Sequence, residues 1–281
     1  MSRPLITGVA RLGGIAGNPV TRSLSPVIHN AWIAAAGLDA VYVPFTPRDP
    51  AGFDTLVAAG RAGLLAGINV TAPFKEQAFA LADQASDTAR ASGSANILAF
   101  RDGQVLADSS DGFGLLMALR EQAPDLNLPG AAVVVLGAGG AARAAAAALA
   151  GAGGQVRIVN RTRARAEALA ADLGPAVSVM EGPDALAGAV LVVNALSIPP
   201  EIDPGRLDPG TVVMDMTYRP VMTPFLVEAR RAGLTTVDGL AMLIGQAGPS
   251  FQAIFDVLPP DVVLRPLLLA HLGEPDDGVV S

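Results

Sequence analysis

Lys75 is the only lysine among 281 residues, and the other eighteen basic side chains are arginine. Arginine keeps its proton near neutral pH, whereas a lysine amine releases it when its surroundings disfavour the charge. A single retained amine is a candidate for proton transfer; a leftover surface lysine is the bland alternative. Its neighbours favour chemistry. Leu64 to Val70 reads as a short buried strand, and Pro73 suits the first turn of a helix. Lys75 then sits at the positive end of that helix dipole, where a cation is disfavoured by a few tenths to about 1 kcal/mol. Asn69 and Thr71 alternate just before it and project polar groups toward the same cleft.

Ser23-Leu24-Ser25-Pro26 places two hydroxyls at a helix N-terminus, with free backbone N–H groups suited to a carboxylate. Ser25 as N-cap with Pro26 at N1 is the structural alternative, whereas Ser23 has no capping duty. Asp111 reads either as N-cap of a helix starting at Gly112 or as a carboxylate partner for Lys75. Asn96 is a turn former or a ligand, and His29 a packed or partly exposed helix residue.

A second chemistry sits further along. Ala131 to Leu136 is an apolar strand that runs into Gly137-x-Gly139-x-x-Ala142, and a helix follows. This is the dinucleotide fingerprint in its proper context: glycines turn the chain tightly and a helix N-terminus receives the pyrophosphate. The next strand ends at Asn160-Arg161-Thr162-Arg163-Ala164-Arg165, where an NAD site would carry Asp or Glu. Arginines there match a 2′-phosphate, so the expected cofactor is NADP.

The elements that must position these groups alternate strand and helix from Leu12 to the Lys75 helix, which implies a mainly parallel sheet. Ile97 to Phe100 and Gln104 to Ala107 flank Asp102-Gly103, a hairpin turn. A second unit opens at Asp111-Gly112, with strands at Gln155 to Val159, Val177 to Met180, Val190 to Val193, Val212 to Met214 and Thr235 to Val237. Two helices, about Gly239 to Val257 and Pro260 to Leu272, close the chain, and the tail after Gly273 reads as frayed.

Composition narrows the classes further. The absence of cysteine excludes disulfides and thiolate catalysis, and two histidines, His29 and His271, do not make a histidine-rich metal site. A net charge of −7 argues against nucleic acid as a partner. No stretch reads as a membrane span or signal peptide, so a cytoplasmic protein is expected.

Taken together, the motifs resemble the shikimate dehydrogenases over nearly the whole length. They are Gly17-Asn18-Pro19, Ser23-x-Ser25-Pro26-x-x-His29-Asn30, Asn69-Val70-Thr71-x-Pro73-Phe74-Lys75 and Gly93-Ser94-Ala95-Asn96. Asp111-Gly112-x-Gly114, Gly137-Ala138-Gly139-Gly140-Ala141, Asn160-Arg161-Thr162, Asp215-Met216-x-Tyr218-x-Pro220 and Gly239-Leu240-x-Met242-Leu243-x-x-Gln246 follow in the family's order. The resemblance implies an α/β substrate domain (1–110 and 239–281), a Rossmann NADP-binding domain (111–238) and C-terminal helices returning to the substrate domain. It implies NADPH-dependent reversible reduction of 3-dehydroshikimate to shikimate, with Lys75 and Asp111 as the catalytic pair. Ser23, Ser25, Asn69, Thr71, Asn96, Tyr218 and Gln246 would line the substrate pocket. Gly137, Gly139, Gly140, Ala141, Asn160, Arg161, Thr162, Arg165, Asn194, Met216 and Gly239 would hold the cofactor, and no metal is implied.

Several positions depart from the family's pattern. Ser109-Ser110 replaces Asn-Thr before Asp111, Ile97 replaces Thr after Asn96, Leu196 replaces Thr after Ala195, and Arg22 stands where His is common. A paralogue acting on quinate or an amino analogue, and a non-catalytic NADP sensor, are the alternative readings.

Overall fold

The computed structural model describes residues 6–275. Among these, one unit holds the chain up to Ser110 together with Gln246–Leu268, and the other holds Asp111–Gly245 and the residues from Leu269 on. No helix among the described residues is long and apolar enough to cross a membrane.

The first unit runs β1 (Arg11–Ala16), α1 (Ser25–Ala35), β2 (Ala40–Phe45), α2 (Pro50–Arg61), β3 (Gly67–Val70), α3 (Lys75–Ala80), β4 (Gln84–Ala85), α4 (Asp87–Ser92), β5 (Ile97–Arg101) and β6 (Gln104–Asp108). Its sheet has the order β2-β1-β3-β5-β6-β4, parallel except that β5 opposes both neighbours. The β5–β6 hairpin turns at Asp102 (φ 51°) and Gly103 (φ 76°), the two positive-φ residues that a right-handed twist favours in a two-residue connection. Phe53, Ile68, Phe74 and Leu98 fill the core between the sheet and its helices.

Three local expectations are corrected here. β3 begins at Gly67, and Leu64 is 68 % exposed, because the chain turns at Gly63 (φ 82°) before the strand starts. Leu24 caps α1, so Ser25 is its first residue; Ser23, expected to have no local duty, accepts the Ser25 N–H on its hydroxyl at 3.2 Å. Pro73 follows a cis peptide bond and lies before α3, whose cap is Phe74 and whose first residue is Lys75.

The second unit runs α5 (Asp111–Gln122), β7 (Ala132–Leu136), α6 (Gly140–Gly151), β8 (Gln155–Val159), α7 (Arg163–Leu173), β9 (Val177–Val179), β10 (Ala189–Asn194), β11 (Val212–Asp215), α8 (Pro224–Arg231) and β12 (Thr235–Val237). α9 (Gly239–Phe255) and α10 (Leu264–Leu272) follow, and Asp111 is the first residue of α5 rather than a cap before it. The sheet is entirely parallel, in the order β12-β11-β10-β7-β8-β9. Strand order reverses beside β7, which is where open α/β sheets bind ligands. β7 is apolar throughout because helices cover both its faces, with Val133 and Val135 in one core and Val134 and Leu136 in the other.

α9 passes from the second unit into the first between Gly245 and Gln246, not at its first residue, Gly239. Within the first unit it lies directly on the sheet. A Cβ on Gly13 would stand 2.9 Å from the Phe255 ring, and one on Gly67 would stand 2.8 Å from the Leu98 carbonyl and 2.9 Å from Ile254. Arg11 and Arg101 grip the end of this helix: they donate to the carbonyls of Ala253, Ile254 and Phe255 and both pair with Asp256. Cations at the carbonyl end satisfy orphan acceptors and complement the dipole, which fixes where Gln246 and Ser250 fall along the sheet.

A methyl group at position 67 has no room, so Gly67→Ala is expected to lower unfolding free energy by about 1–3 kcal/mol through overpacking. Urea denaturation beside Gly63→Ala, whose Cβ meets nothing within 4 Å but whose φ is +82°, separates packing from backbone strain.

Candidate active site

The polar residues of the first unit form one buried network. The Asn96 carbonyl accepts from Val70 N–H at 2.8 Å and from Asn69 Nδ2 at 3.1 Å. Asn69 Nδ2 also donates to Ser250 Oγ at 2.8 Å, and Ser250 donates to the Gln246 carbonyl at 3.1 Å. The Asn96 side chain reaches the other way: its Nδ2 donates to Ser110 Oγ and to Gln246 Oε1, both at 3.1 Å, while its Oδ1 accepts from Ser110 N–H at 2.9 Å. Ser110 Oγ donates to the Gln246 carbonyl at 2.9 Å. Every one of these groups is buried, so each hydrogen bond offsets a desolvation penalty of about 1–3 kcal/mol. Gln246 Nε2 makes no hydrogen bond among the described residues and is a donor available to a ligand.

Tyr42 extends the network to β2. Its hydroxyl donates to Asn69 Oδ1 at 2.8 Å, and burial raises its pKa well above the usual phenol range. The Tyr42 ring stacks on His29 with centroids 4.2 Å apart and planes 3° from parallel. His29 is wholly buried against Trp32 and Phe251, and neither ring nitrogen has a hydrogen-bond partner among the described residues. The imidazole is thus an aromatic slab, held neutral by desolvation that lowers its pKa to about 3.

Two loops bring the remaining groups alongside. Asn18 N–H bonds to the Ala72 carbonyl at 3.1 Å, and Gly17 lies so close to Thr71 that a Cβ would stand 2.3 Å from its methyl. This joins the loop that carries Ser23 and leads into Ser25 to the loop carrying Thr71. The half-buried Lys75 starts α3, and its carbonyl accepts the Ala95 N–H at 2.9 Å, tying it to the segment that presents Asn96. Tyr42, Ser110 and Ser250 carry the network together with the expected residues, yet no motif spacing singles them out.

In the second unit the functional groups gather at the carboxyl ends of adjacent strands, where Leu136 pairs in register with Val159 and Asn194, and Asn194 with Asp215. Gly137 takes φ +116° and turns the chain past Ala195 and Leu196, while Gly139 and Gly140 face open space, with nothing within 4 Å of an added Cβ. α6 begins at Gly140 with no side-chain cap, so the N–H groups of its first turn, Ala141 included, are available to an anion. α7 likewise starts after Thr162 with no side-chain cap, and Asn160 Nδ2 braces that turn by donating to the Thr162 carbonyl at 2.9 Å.

Of the arginines in this loop, Arg163 is taken up by Glu167 at 2.7 Å and Glu181 at 3.1 Å, which hold its proton more firmly. Arg161 and Arg165 are exposed and have no side-chain partner among the described residues. An open glycine turn, two uncapped helix starts and two uncommitted guanidinium groups fit a dinucleotide with an additional phosphate on its ribose.

Asn194, Met216 and Gly239 frame this edge. Asn194 Nδ2 donates to Asp215 Oδ1 at 3.1 Å and its Oδ1 accepts from Leu196 N–H at 3.1 Å, so the side chain ties β10 to β11. Asp215 also accepts from Thr217 and Thr223, which satisfies its buried carboxylate. A Cβ on Gly239 would stand 2.4 Å from the Thr217 carbonyl and 2.6 Å from that of Met216, so glycine lets α9 start against this backbone. Tyr218 is half-buried, two residues beyond Met216.

Comparison with known proteins matches both units. Residues 15–98 match the family model described as the shikimate dehydrogenase substrate binding domain, and residues 118–203 match shikimate / quinate 5-dehydrogenase. The chain is 51 % identical to shikimate dehydrogenase (NADP(+)) of Caulobacter vibrioides over 96 % of its own length and 98 % of that protein's. Among solved structures, shikimate 5-dehydrogenase from Thermus thermophilus, in complex with NADP(H) and shikimate, superposes with TM-score 0.81 at 32 % identity, covering 89 % of this chain and 95 % of that one. Quinate dehydrogenase from Corynebacterium glutamicum, in complex with NAD, superposes with TM-score 0.84 at 28 % identity, covering 93 % and 99 %.

The stacked imidazole carries a pH signature. With a pKa of about 3 in the folded chain against 6.5 for the free group, His29 stays neutral where the unfolded chain binds a proton. Its contribution to stability is therefore complete above the higher value and is lost as pH falls toward the lower one, with a slope approaching about 1.4 kcal/mol per pH unit. Urea midpoints across that window are expected to fall less steeply for His29→Leu than for the parent chain. Equal slopes would count against the buried neutral ring.

Proposed function

The chain belongs to the shikimate dehydrogenase family, and from that premise we propose that it reversibly reduces 3-dehydroshikimate to shikimate with NADPH. The observation that carries this reading is 51 % identity, over nearly the full length, to an enzyme named for NADP(+), joined to an unbroken buried polar cradle. We assign substrate binding to the first unit and cofactor binding to the second. A cytoplasmic location and a monomer or homodimer belong to the same reading.

NADPH, when bound, supplies the hydride. The chain's own residues hold the substrate and move the proton. In this assignment Ser23 and Ser25 receive the carboxylate, while Asn69, Thr71, Asn96, Tyr218 and Gln246 meet the ring hydroxyls and carbonyl. The Lys75 ammonium protonates the substrate oxygen as the carbonyl becomes a hydroxyl, with Asp111 as the carboxylate that orients the amine. Gly139, Gly140 and Ala141 receive the pyrophosphate, Asn160, Arg161, Thr162 and Arg165 the 2′-phosphate, and Gly137, Asn194, Met216 and Gly239 border the dinucleotide.

A second reading, oxidation of quinate, draws on Ile97. This departure from the family pattern lies opposite Asn69 in the sheet, beside the cradle. A panel of shikimate and quinate, each with NADP+ and NAD+, followed by reduced-cofactor absorbance, decides between them. Shikimate with NADP+ is expected to turn over fastest; faster turnover of quinate would replace the assignment, and no turnover at all would point to a sensor.

Two variants test the residue roles. Lys75→Ala is expected to lower kcat by about 10²–10⁴-fold with the NADP+ dissociation constant unchanged; retention of most turnover would remove Lys75 from the chemistry. Arg161→Ala combined with Arg165→Ala is expected to raise the KM for NADP+ by about tenfold or more while leaving the KM for NAD+ unaltered. An equal effect on both cofactors would contradict the 2′-phosphate assignment.

A further inference from the structure

Asn69 has two amide hydrogens, and both are committed: one to the Asn96 carbonyl at 3.1 Å and one to Ser250 Oγ at 2.8 Å. A main-chain carbonyl only accepts, so the first contact dictates which end of the amide is nitrogen. Ser250 Oγ is therefore the acceptor in the second contact, and its own hydrogen goes to the Gln246 carbonyl at 3.1 Å. A helical serine often bonds back one turn in this way. That habit does not account for the other half of the arrangement, in which the same oxygen receives a side chain 181 positions away.

The surroundings leave this hydroxyl to α9. The register partner of Asn69 in β5 is Ile97, which stands on the same sheet face and carries no polar side-chain atom. α9 covers that face, since a Cβ on Gly67 would meet Ile254, and Ser250 is wholly buried. Asn69 Oδ1 accepts the Tyr42 hydroxyl at 2.8 Å and keeps one lone pair. With no hydrogen left to give, Asn69 meets a substrate only as an acceptor, which suits a hydroxyl and not a carbonyl or carboxylate. We propose that Ser250 is a positioning residue of the substrate site: its hydroxyl, delivered by α9, occupies the last Asn69 hydrogen and fixes the amide as an acceptor for a substrate hydroxyl. This rests on the function proposed above and narrows the part Asn69 plays in it, with Ser250 acting through Asn69.

The test is Ser250→Ala, assayed with shikimate and NADP+ beside the parent enzyme. The expected result is a rise of about five- to tenfold in the KM for shikimate, kcat within about twofold, and an unchanged KM for NADP+. In an Asn69→Ala background, Ser250→Ala is expected to change the KM for shikimate by less than about twofold, because the residue it acts through is gone. A role in packing alone would move that KM by the same factor in both backgrounds. An unchanged KM for shikimate, the same factor in both backgrounds, or equal damage to kcat and to both KM values would each overturn the proposal. Absence of shikimate-dependent turnover in the parent enzyme would instead overturn the underlying function. If either alanine variant does not fold, Ser250→Cys keeps the shape and weakens the acceptor: a raised KM for shikimate with kcat and the KM for NADP+ retained supports the assignment, and an unaltered KM overturns it.

Discussion

The main-chain carbonyl of Asn96 is the fixed point of the first unit. It accepts from a neighbouring strand and from the Asn69 side chain, so it serves the sheet and the cradle together. Once the Asn69 nitrogen is held there, the orientation of its oxygen, of the Tyr42 hydroxyl and of Ser250 follows in turn. Desolvation supplies the rigidity, because a buried group that left its partner would find no water to replace it. The cradle is thus a consequence of sheet hydrogen bonding rather than a feature added to it.

The second unit solves a different problem by leaving donors unmade. Neither α6 nor α7 has a side-chain cap, and side chains are absent where Gly139 and Gly140 open the turn. Charge is disposed in the same way. Glu167 and Glu181 neutralise Arg163, Asp172 pairs with Arg143, and Arg161 and Arg165 stay uncommitted at the strand end. An anion arriving there meets oriented dipoles and free guanidinium groups without first displacing an internal partner.

What was legible in the sequence was what is encoded locally. The Asp102-Gly103 turn, the strands Gln155–Val159 and Thr235–Val237 and the glycine turn after β7 fall where the residues placed them. Errors came where one residue type serves two local ends: Ser25 read as a cap and is helical, Pro73 read as helical and precedes the helix, and Leu64 read as strand and is exposed. The cradle was legible only in part. Asn69, Asn96 and Gln246 stand out by motif, but Tyr42, Ser110 and Ser250 acquire their meaning from partners 14 to 181 positions away. Ordinary periodicity would assign Tyr42 and His29 to an aromatic core, and they are that as well.

α9 carries a consequence for the order in which the molecule is made. Ser250 lies 181 positions after Asn69, and Gln246 lies 150 after Asn96. At synthesis rates of about 5–20 residues per second, Asn69 emerges roughly 10–35 s before its last partner exists. During that interval the strand of the second unit that follows Asp111 and its dinucleotide turn are already complete in sequence. The half around Lys75 therefore waits for one helix, and the nascent chain carries an unfinished sheet with Gly13 and Gly67 uncovered until α9 is made.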